Sequence, residues 1–118
     1  TLTPNEQYAY MSMWSLMAAP LIFSGDMAKL DAFTLNVLCN HEVIEIDQDP
    51  LGKQARIQRQ TRRELVLVKD LEDGSKAVGL FNRGESAATV TSTGTGSGGG
   101  AACRGAGNSS ASNSHCFV

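Results

Sequence analysis

The sequence predicts an α/β architecture followed by antiparallel β structure, and three observations indicate this. Before residue 55, helical patterns flank one short, continuously apolar segment, as in folds where helices cover a parallel sheet. After residue 55 the apolar residues follow the two-residue period of strands. Beyond residue 91 the chain is mainly Gly, Ser, Ala, Asn and Thr, a composition that buries too little apolar surface to fold.

The first element is a helix with a well-marked beginning. Thr3 is a typical N-cap, Pro4 suits the first helical position, and Glu6 completes a capping box. Pro20 is expected to end the helix. Apolar side chains at helical spacing predict one core-facing stripe, formed by Tyr10, Met13, Trp14 and Met17.

A buried strand and a second helix are expected next. The run PLIFSGD, residues 20–26, is typical of a strand buried on both faces that leads into a turn. Residues 29–40, KLDAFTLNVLCN, then carry Asp31 as a plausible N-cap and Asn40 as a stop. The apolar face of this helix comprises Leu30, Phe33, Thr34, Val37 and Leu38.

The stretch NHEVIEIDQDPLGKQ, residues 40–54, contains four carboxylates: Glu42, Glu45, Asp47 and Asp49. In an extended chain Glu45, Asp47 and Asp49 would point to the same side, and on a helix Glu42 and Glu45 would share a face. Either spacing could bring two carboxyls within about 5–5.5 Å, the separation needed by the carboxylate pair of a retaining glycosidase. The spacing alone leaves two interpretations open, an acid/base pair or an acidic joint between two pieces of structure.

Strands follow this joint. ELVLVKD and KAVGLFN flank LEDGS, whose Asp-Gly pair favours a tight turn, so residues 64–82 are predicted to form an antiparallel hairpin. Residues 87–91 are a candidate third strand. One parallel strand and two or three antiparallel strands are each too few for a stable sheet, so the sequence is interpreted as a fragment.

Charge and composition exclude several function classes. The net charge of −2 argues against a general nucleic-acid binder, and no apolar run reaches transmembrane length. The cysteines and two histidines have no metal-site spacing, and no cofactor motif is present. A basic cluster is interpreted as a solvated surface, with an anion-binding module as the alternative: Lys53, Arg56, Arg59, Arg62 and Arg63.

Five motifs together resemble glycoside hydrolase family 27, the α-galactosidases or melibiases. They are LTPNEQ (2–7), WSLMAAPL (14–21), GDM (25–27), EVIEIDQDPLGKQ (42–54) and AVGLFNR (77–83). The resemblance implies the last part of a (β/α)8 barrel followed by the first strands of a C-terminal β-sandwich domain. Residues 4–18 correspond to the seventh barrel helix, residues 19–24 to the eighth strand and residues 30–40 to the eighth helix.

The resulting domain prediction has four parts. Residues 1–52 end the barrel, residues 53–63 are a basic connector, residues 64–91 start the antiparallel β domain, and residues 92–118 are a disordered low-complexity tail. In this mapping the acidic stretch lies at the far end of the barrel from the active site. Ile44 and Ile46 are therefore expected to be buried, and at least two of the four carboxylates exposed.

The resemblance implies a retaining α-galactosidase that acts on terminal α-linked galactose of oligosaccharides or glycoconjugates. Its catalytic aspartates follow the fourth and sixth strands, so no catalytic residue is expected in this chain, which alone should be inactive. Ser24 and Asp26, at the end of the eighth strand, are the candidate substrate-binding residues, with Asp26 alternatively capping a helical turn. An α-N-acetylgalactosaminidase is the alternative specificity, and family members are often secreted, lysosomal or vacuolar.

Overall fold

The computed structural model describes residues 2–86 and 88–91, together with the backbone of residues 102–103 and 114–117. The helices are α1 (Pro4–Leu16), α2 (Ala32–Leu38) and α3 (His41–Asp47), and a 3-10 turn spans Met27–Lys29. The strands are β1 (Arg56–Gln60), β2 (Glu64–Asp70), β3 (Lys76–Asn82), β4 (Val90–Thr91), β5 (Ala102–Cys103) and β6 (Ser114–Phe117).

Helix α1 begins as its sequence predicts. The Thr3 hydroxyl accepts the Glu6 N–H at 3.4 Å, while the Glu6 carboxylate accepts the Thr3 N–H at 2.7 Å. These reciprocal bonds satisfy two N–H groups that a helix start leaves free. The helix ends at Leu16, before the predicted stop at Pro20, and Ala18 follows in the left-handed region with φ 51°.

The predicted core stripe of α1 is correct in part. Met13 is half-buried against the apolar cluster that contains Leu16, and Trp14 is half-buried, whereas Tyr10 is 57% exposed and Met17 46% exposed. The fully buried positions are Met11, Ser12, Ser15 and Leu16. The sheet contacts α1 on the side of Ser15 and Leu16, and burial follows that contact rather than the most apolar stripe.

The buried strand predicted at residues 19–24 is not formed in the described structure. This segment has no regular secondary structure, and Ile22 is 79% exposed. A strand requires a backbone partner on at least one edge. Within the described residues the four-stranded sheet begins at β1, and none of its strands pairs with this segment.

Helix α2 has the predicted N-cap. The Asp31 carboxylate accepts the Thr34 N–H at 2.7 Å, and Val37 is the buried residue of the expected apolar face. Asn40 follows this helix as predicted but also starts the next one, because its side chain accepts the Val43 N–H at 3.4 Å.

The acidic stretch folds as helix α3. Ile46 is buried as predicted, whereas Ile44 is only half-buried. Glu42 and Glu45 are exposed, which meets the expectation for two of the four carboxylates. Asp47 is buried, with 6% exposure, and Asp49 is half-buried, which the expectation of at least two exposed carboxylates allows.

The main sheet has the strand order β1-β2-β3-β6. Strands β2 and β3 pair antiparallel, with Leu65 opposite Phe81 and Val68 opposite Val78, so the hairpin over residues 64–82 is confirmed. Gly74 has φ 84° in the connecting turn, a conformation that side chains disfavour. The basic connector is corrected in part, because Arg56–Gln60 pair with β2 as strand β1.

The end of the chain differs from the disordered tail that composition predicts. Ser114–Phe117 pair parallel with β3, and Ala102–Cys103 pair with Val90–Thr91. Main-chain hydrogen bonds to an open strand edge do not depend on apolar side chains, which explains how these few residues depart from the prediction. Residue 87 of the candidate third strand and the rest of residues 92–118 lie outside the described part.

The sheet has a different partner on each face. The helix-facing side contributes Leu67, Leu71, Ala77 and Phe81 to a cluster with Leu16 and Ile46. The opposite side packs Val66, Val68, Val78 and Leu80 against Val90. At Gly79 the sheet and α1 pack closely, because a Cβ atom there would lie 2.4 Å from Leu16 Cδ1. A third cluster, Met11, Val37 and Val43, joins the three helices.

Candidate functional site

Asp26 serves as the N-cap of the 3-10 turn. Its Oδ1 accepts the Ala28 N–H at 3.0 Å, and its Oδ2 lies 3.4 Å from the Lys29 ammonium. The side chain is exposed, with 53% of its surface accessible. Asp26 was predicted either to bind substrate or to cap a helical turn. In the structure its carboxylate caps the turn.

Ser24 lies two residues earlier on the same exposed segment. Between them, Gly25 approaches the Phe23 ring so closely that a Cβ atom would lie 3.1 Å from two of its carbons. The Phe23 ring thus packs against the backbone of Gly25. An apolar groove lies beside this segment, and neither Ser24 nor Asp26 lines it.

The groove lies between α1, residues 21–30 and α2, and has a volume of ≈ 630 Å³. Most of its lining is apolar or aromatic, including Tyr10, Trp14, Leu21, Phe23, Met27 and Leu30. The Trp14 indole N–H donates to the Pro20 carbonyl at 3.0 Å. This bond connects the start of the segment at residues 20–24 to α1. Tyr10 and Trp14 lie side by side with ring centroids 5.5 Å apart.

The polar groups at the groove are few. The carboxylate of Asp31 is engaged by the Thr34 N–H, and this backbone hydrogen bond lowers the pKa of the carboxyl. Lys29 is paired with Asp26. A sugar is held mainly by polar groups directed at its hydroxyls, whereas this lining offers chiefly hydrocarbon and aromatic surface. The groove has the chemistry of a protein packing surface.

Three of the four carboxylates of the acidic stretch contact other groups of the chain. Glu45 contacts His41 at 3.2 Å on the exposed side of α3, and Asp47 accepts from the Gln48 amide at 2.6 Å. Asp49 accepts the N–H groups of Leu51 and Glu72, each at 3.0 Å. The last contact connects the end of α3 to the β2–β3 turn, so the joint interpretation is the one the geometry favours.

Two arginines of the basic cluster form ion pairs with carboxylates of the sheet. Arg56 pairs with Asp70 at 2.9 Å, and Arg59 pairs with Glu64 at 3.0 Å. Hydrogen bonding from Lys76, together with the charges of Lys76 and Arg56, lowers the pKa of Asp70. Lys53, Arg62 and Arg63 remain exposed. Internal pairing of two arginines leaves a smaller positive surface than the sequence suggests.

Sequence reasoning missed one polar residue of the joint. Lys69 lies in β2 with 0% exposure, and its ammonium donates to the main-chain carbonyls of Ser15 and Ile46. The sequence does contain a signal for this residue, because Lys69 alternates with Leu67 and Leu71 on the side of β2 that faces the helices. A lysine at such an apolar position predicts a buried hydrogen-bond acceptor for its amine.

Neither a metal centre nor a membrane span is found in residues 2–86, 88–91 and the short strands. These residues contain no group of three or more His, Cys, Asp or Glu side chains placed to hold a metal ion. None of their helices has the length and apolarity required to cross a bilayer.

Comparison with known proteins identifies the family. The family model described as "Alpha galactosidase A" matches residues 1–49. The chain belongs to the melibiase family of glycoside hydrolases. Among curated melibiase relatives, a probable alpha-galactosidase of Dictyostelium discoideum is 38% identical over 91 residues, and the alpha-galactosidase of Cyamopsis tetragonoloba is 38% identical over 90. These matches cover 75% and 76% of this chain, but only 24% and 22% of the relatives.

Solved melibiase structures share the arrangement described above. Alpha-galactosidase I of Mortierella vinacea superposes with a TM-score of 0.75 at 26% identity, covering 78% of this chain and 23% of that one. A putative alpha-galactosidase of Bacteroides fragilis gives a TM-score of 0.74 at 37% identity, covering 80% of this chain and 20% of that one. The chain thus spans about a quarter or less of the length of the relatives it matches.

Proposed function

We propose that this chain forms part of a retaining α-galactosidase that hydrolyses terminal α-linked galactose of oligosaccharides or glycoconjugates. The similarity to proteins named alpha-galactosidase supports this function, at 34–38% identity over more than two thirds of the chain. Among the curated relatives described above, the names support galactose rather than N-acetylgalactosamine as the sugar. Carbohydrate is therefore the proposed partner.

Within that enzyme, residues 1–52 are proposed to end a (β/α)8 barrel and residues 64–91 to begin a C-terminal β domain. The order helix, apolar segment and helix, followed by an antiparallel sheet, supports this placement. The observation that carries it is the 79% exposure of Ile22, which lies in this apolar segment and lines the apolar groove. Residues 20–24 would be covered on both sides once neighbouring barrel strands pair with them.

The chemistry is proposed to reside outside this chain. A retaining glycosidase requires two carboxylates, one nucleophile and one acid/base, about 5–5.5 Å apart. In the described residues, the carboxylates of Asp26, Asp31 and Asp49 each accept backbone N–H groups and hold turns or helix starts. Such carboxylates stabilise local structure and are not free to attack a sugar. The isolated chain is therefore expected to show no turnover.

Ser24 and Asp26 are proposed to border the sugar pocket. Active sites of barrel enzymes lie at the carboxyl ends of the strands, and these residues follow the proposed eighth strand. The cap on Ala28 and the contact with Lys29 hold the Asp26 carboxylate in one position, which suits a group that orients a sugar hydroxyl. The exposure of both side chains leaves them accessible to a ligand.

A chimaera tests the function. Residues 2–91 replace the matching segment of the Mortierella vinacea enzyme, and turnover of p-nitrophenyl α-galactoside is compared with that of the isolated chain. We expect turnover from the chimaera and none from the chain. A folded, thermally stable chimaera without activity would contradict the proposed function. Turnover of the α-N-acetylgalactosaminide in preference to the galactoside would contradict the proposed sugar.

Asp26→Asn in the same chimaera tests the site separately. Asparagine caps helical turns about as well as aspartate, so the fold is expected to be retained. A rise in KM or a fall in kcat at unchanged thermal stability would support a sugar contact. Unchanged kinetics in Asp26→Asn would show that Asp26 serves only as a cap. Asp31→Asn, at the N-cap of α2, is the matched control and should leave the kinetics unchanged.

A further inference from the structure

Lys69 is a buried amine that connects three elements. It projects from β2 toward α1 and α3, and its Nζ lies 3.2 Å from the Ser15 carbonyl while also donating to the Ile46 carbonyl. Ser15 lies in the last turn of α1 and Ile46 in the last turn of α3. Carbonyls in a last helical turn lack the N–H partner that the next turn would supply.

The other donors to these carbonyls come from the residues that follow each helix. Ser15 O accepts from the Met17 N–H and, at 3.4 Å, from the Ala18 N–H. Ile46 O accepts from the Gln48 N–H and, at 3.5 Å, from the Asp49 N–H. A positive or partly positive donor is also favoured at the negative end of a helix dipole. A neutral amine has two N–H donors, which equals the number of carbonyls that face it. Lys69 therefore fits this position in either protonation state.

The charged groups around Lys69 come from one side. Asp47 in α3 and Asp49 just after it are near enough to favour the ammonium, whereas α1 presents the Ser15 main-chain carbonyl. Asp47 is itself buried, and its Oδ1 has no hydrogen-bond partner in the described part of the chain. Loss of water around the amine outweighs the two carboxylates, so burial lowers the pKa of Lys69 below 10.5.

We propose that the Lys69 amine is a pH-dependent latch that holds the sheet against the carboxyl-terminal ends of α1 and α3. When the amine is neutral, both of its N–H groups are used and no charge is buried. When it is protonated, the same contacts persist but an ammonium is held away from water. The packing of the helices on the sheet is therefore tighter in the neutral form.

The direction of the pH effect follows from linkage. Because the pKa of Lys69 is lowered in the folded state, the unfolded chain binds more protons between that pKa and 10.5. The free energy of unfolding contributed by Lys69 therefore rises as pH rises through this window. Below the folded-state pKa the burial of charge opposes folding in full.

The test measures urea unfolding of the full chain and of Lys69→Met from neutral pH to about 10.5. We expect the difference in midpoint, full chain minus variant, to increase with pH. Lys53→Met removes the same charge from an exposed position and corrects for the change in net charge. A difference that stays constant with pH would show that Lys69 acts by packing alone and would overturn the proposal.

A second measurement remains informative even if Lys69→Met does not fold. The Lys69 signal in the ¹³C-lysine NMR spectrum of the unmodified chain should titrate below 10.5, and Asp47→Asn should move its midpoint further down. Glu45→Gln, on the exposed side of the same helix, is the matched control and should leave the midpoint in place. A midpoint at or above 10.5 would overturn the proposal.

Discussion

The two sides of α1 differ sharply in what covers them. On one side Leu16 has 0% exposure and packs between Ile46 of α3 and the β2–β3 hairpin. On the other side Tyr10, which lines the apolar groove, is 57% exposed, and Met17, seven residues further along, is 46% exposed. One side of α1 thus packs into a core, and the other side leaves apolar surface exposed. This contrast agrees with the proposal that other parts of a barrel cover the groove side.

The largest effect is expected from Leu16→Ala. Truncation of this fully buried side chain should lower the free energy of unfolding by about 2–5 kcal/mol, because it removes apolar contacts and leaves a cavity. Met17→Ala changes the neighbouring C-cap residue of α1, which is 46% exposed, and is the control. Urea denaturation of both variants measures the contrast. Equal losses in the two would contradict the distinction between a completed side and an uncovered side.

Gly79→Ala tests the same contact from the sheet. The added Cβ would lie 2.4 Å from Leu16 Cδ1 and 2.7 Å from Phe81 Cε2, so one partner must move. We expect a loss of about 1–3 kcal/mol, the usual range for overpacking a core. Gly84→Ala is the control, because its nearest neighbour is the exposed Asn82 side chain at 3.2 Å. The loss should shrink when Leu16→Ala is already present, since the two changes share one contact.

The comparison also explains which features could be predicted from the sequence. Caps and turns depend on neighbouring residues, so the Thr3–Glu6 capping box, the Asp31 N-cap and the Gly74 turn were predicted correctly. The core side of α1 depends on which element contacts it, and helical spacing alone identified Met13 and Trp14 but not Leu16 and Ser15. The strand predicted at residues 19–24 is not formed, because a strand needs backbone partners and an apolar run does not show where such partners lie.

The candidate site follows the same division. The capping role of Asp26 was foreseen as an alternative, because an aspartate before a short turn is a local signal. Lys69 was missed because its carbonyl partners, on Ser15 and Ile46, are 54 and 23 residues away in sequence. The burial of Asp47 was likewise not predicted, because it depends on the distant sheet that covers the end of α3.

The smallest effect in the isolated chain, and the most direct test of the central claim, comes from Ile22→Asp. Because the Ile22 side chain is 79% exposed, this change should alter the free energy of unfolding of the isolated chain by no more than about 0.5 kcal/mol. In the chimaera with the Mortierella vinacea enzyme, Ile22 should be buried between strands, so the same change should abolish folding and turnover of p-nitrophenyl α-galactoside. Full activity of the Ile22→Asp chimaera would contradict the claim that the groove side is an interior surface of an α-galactosidase barrel.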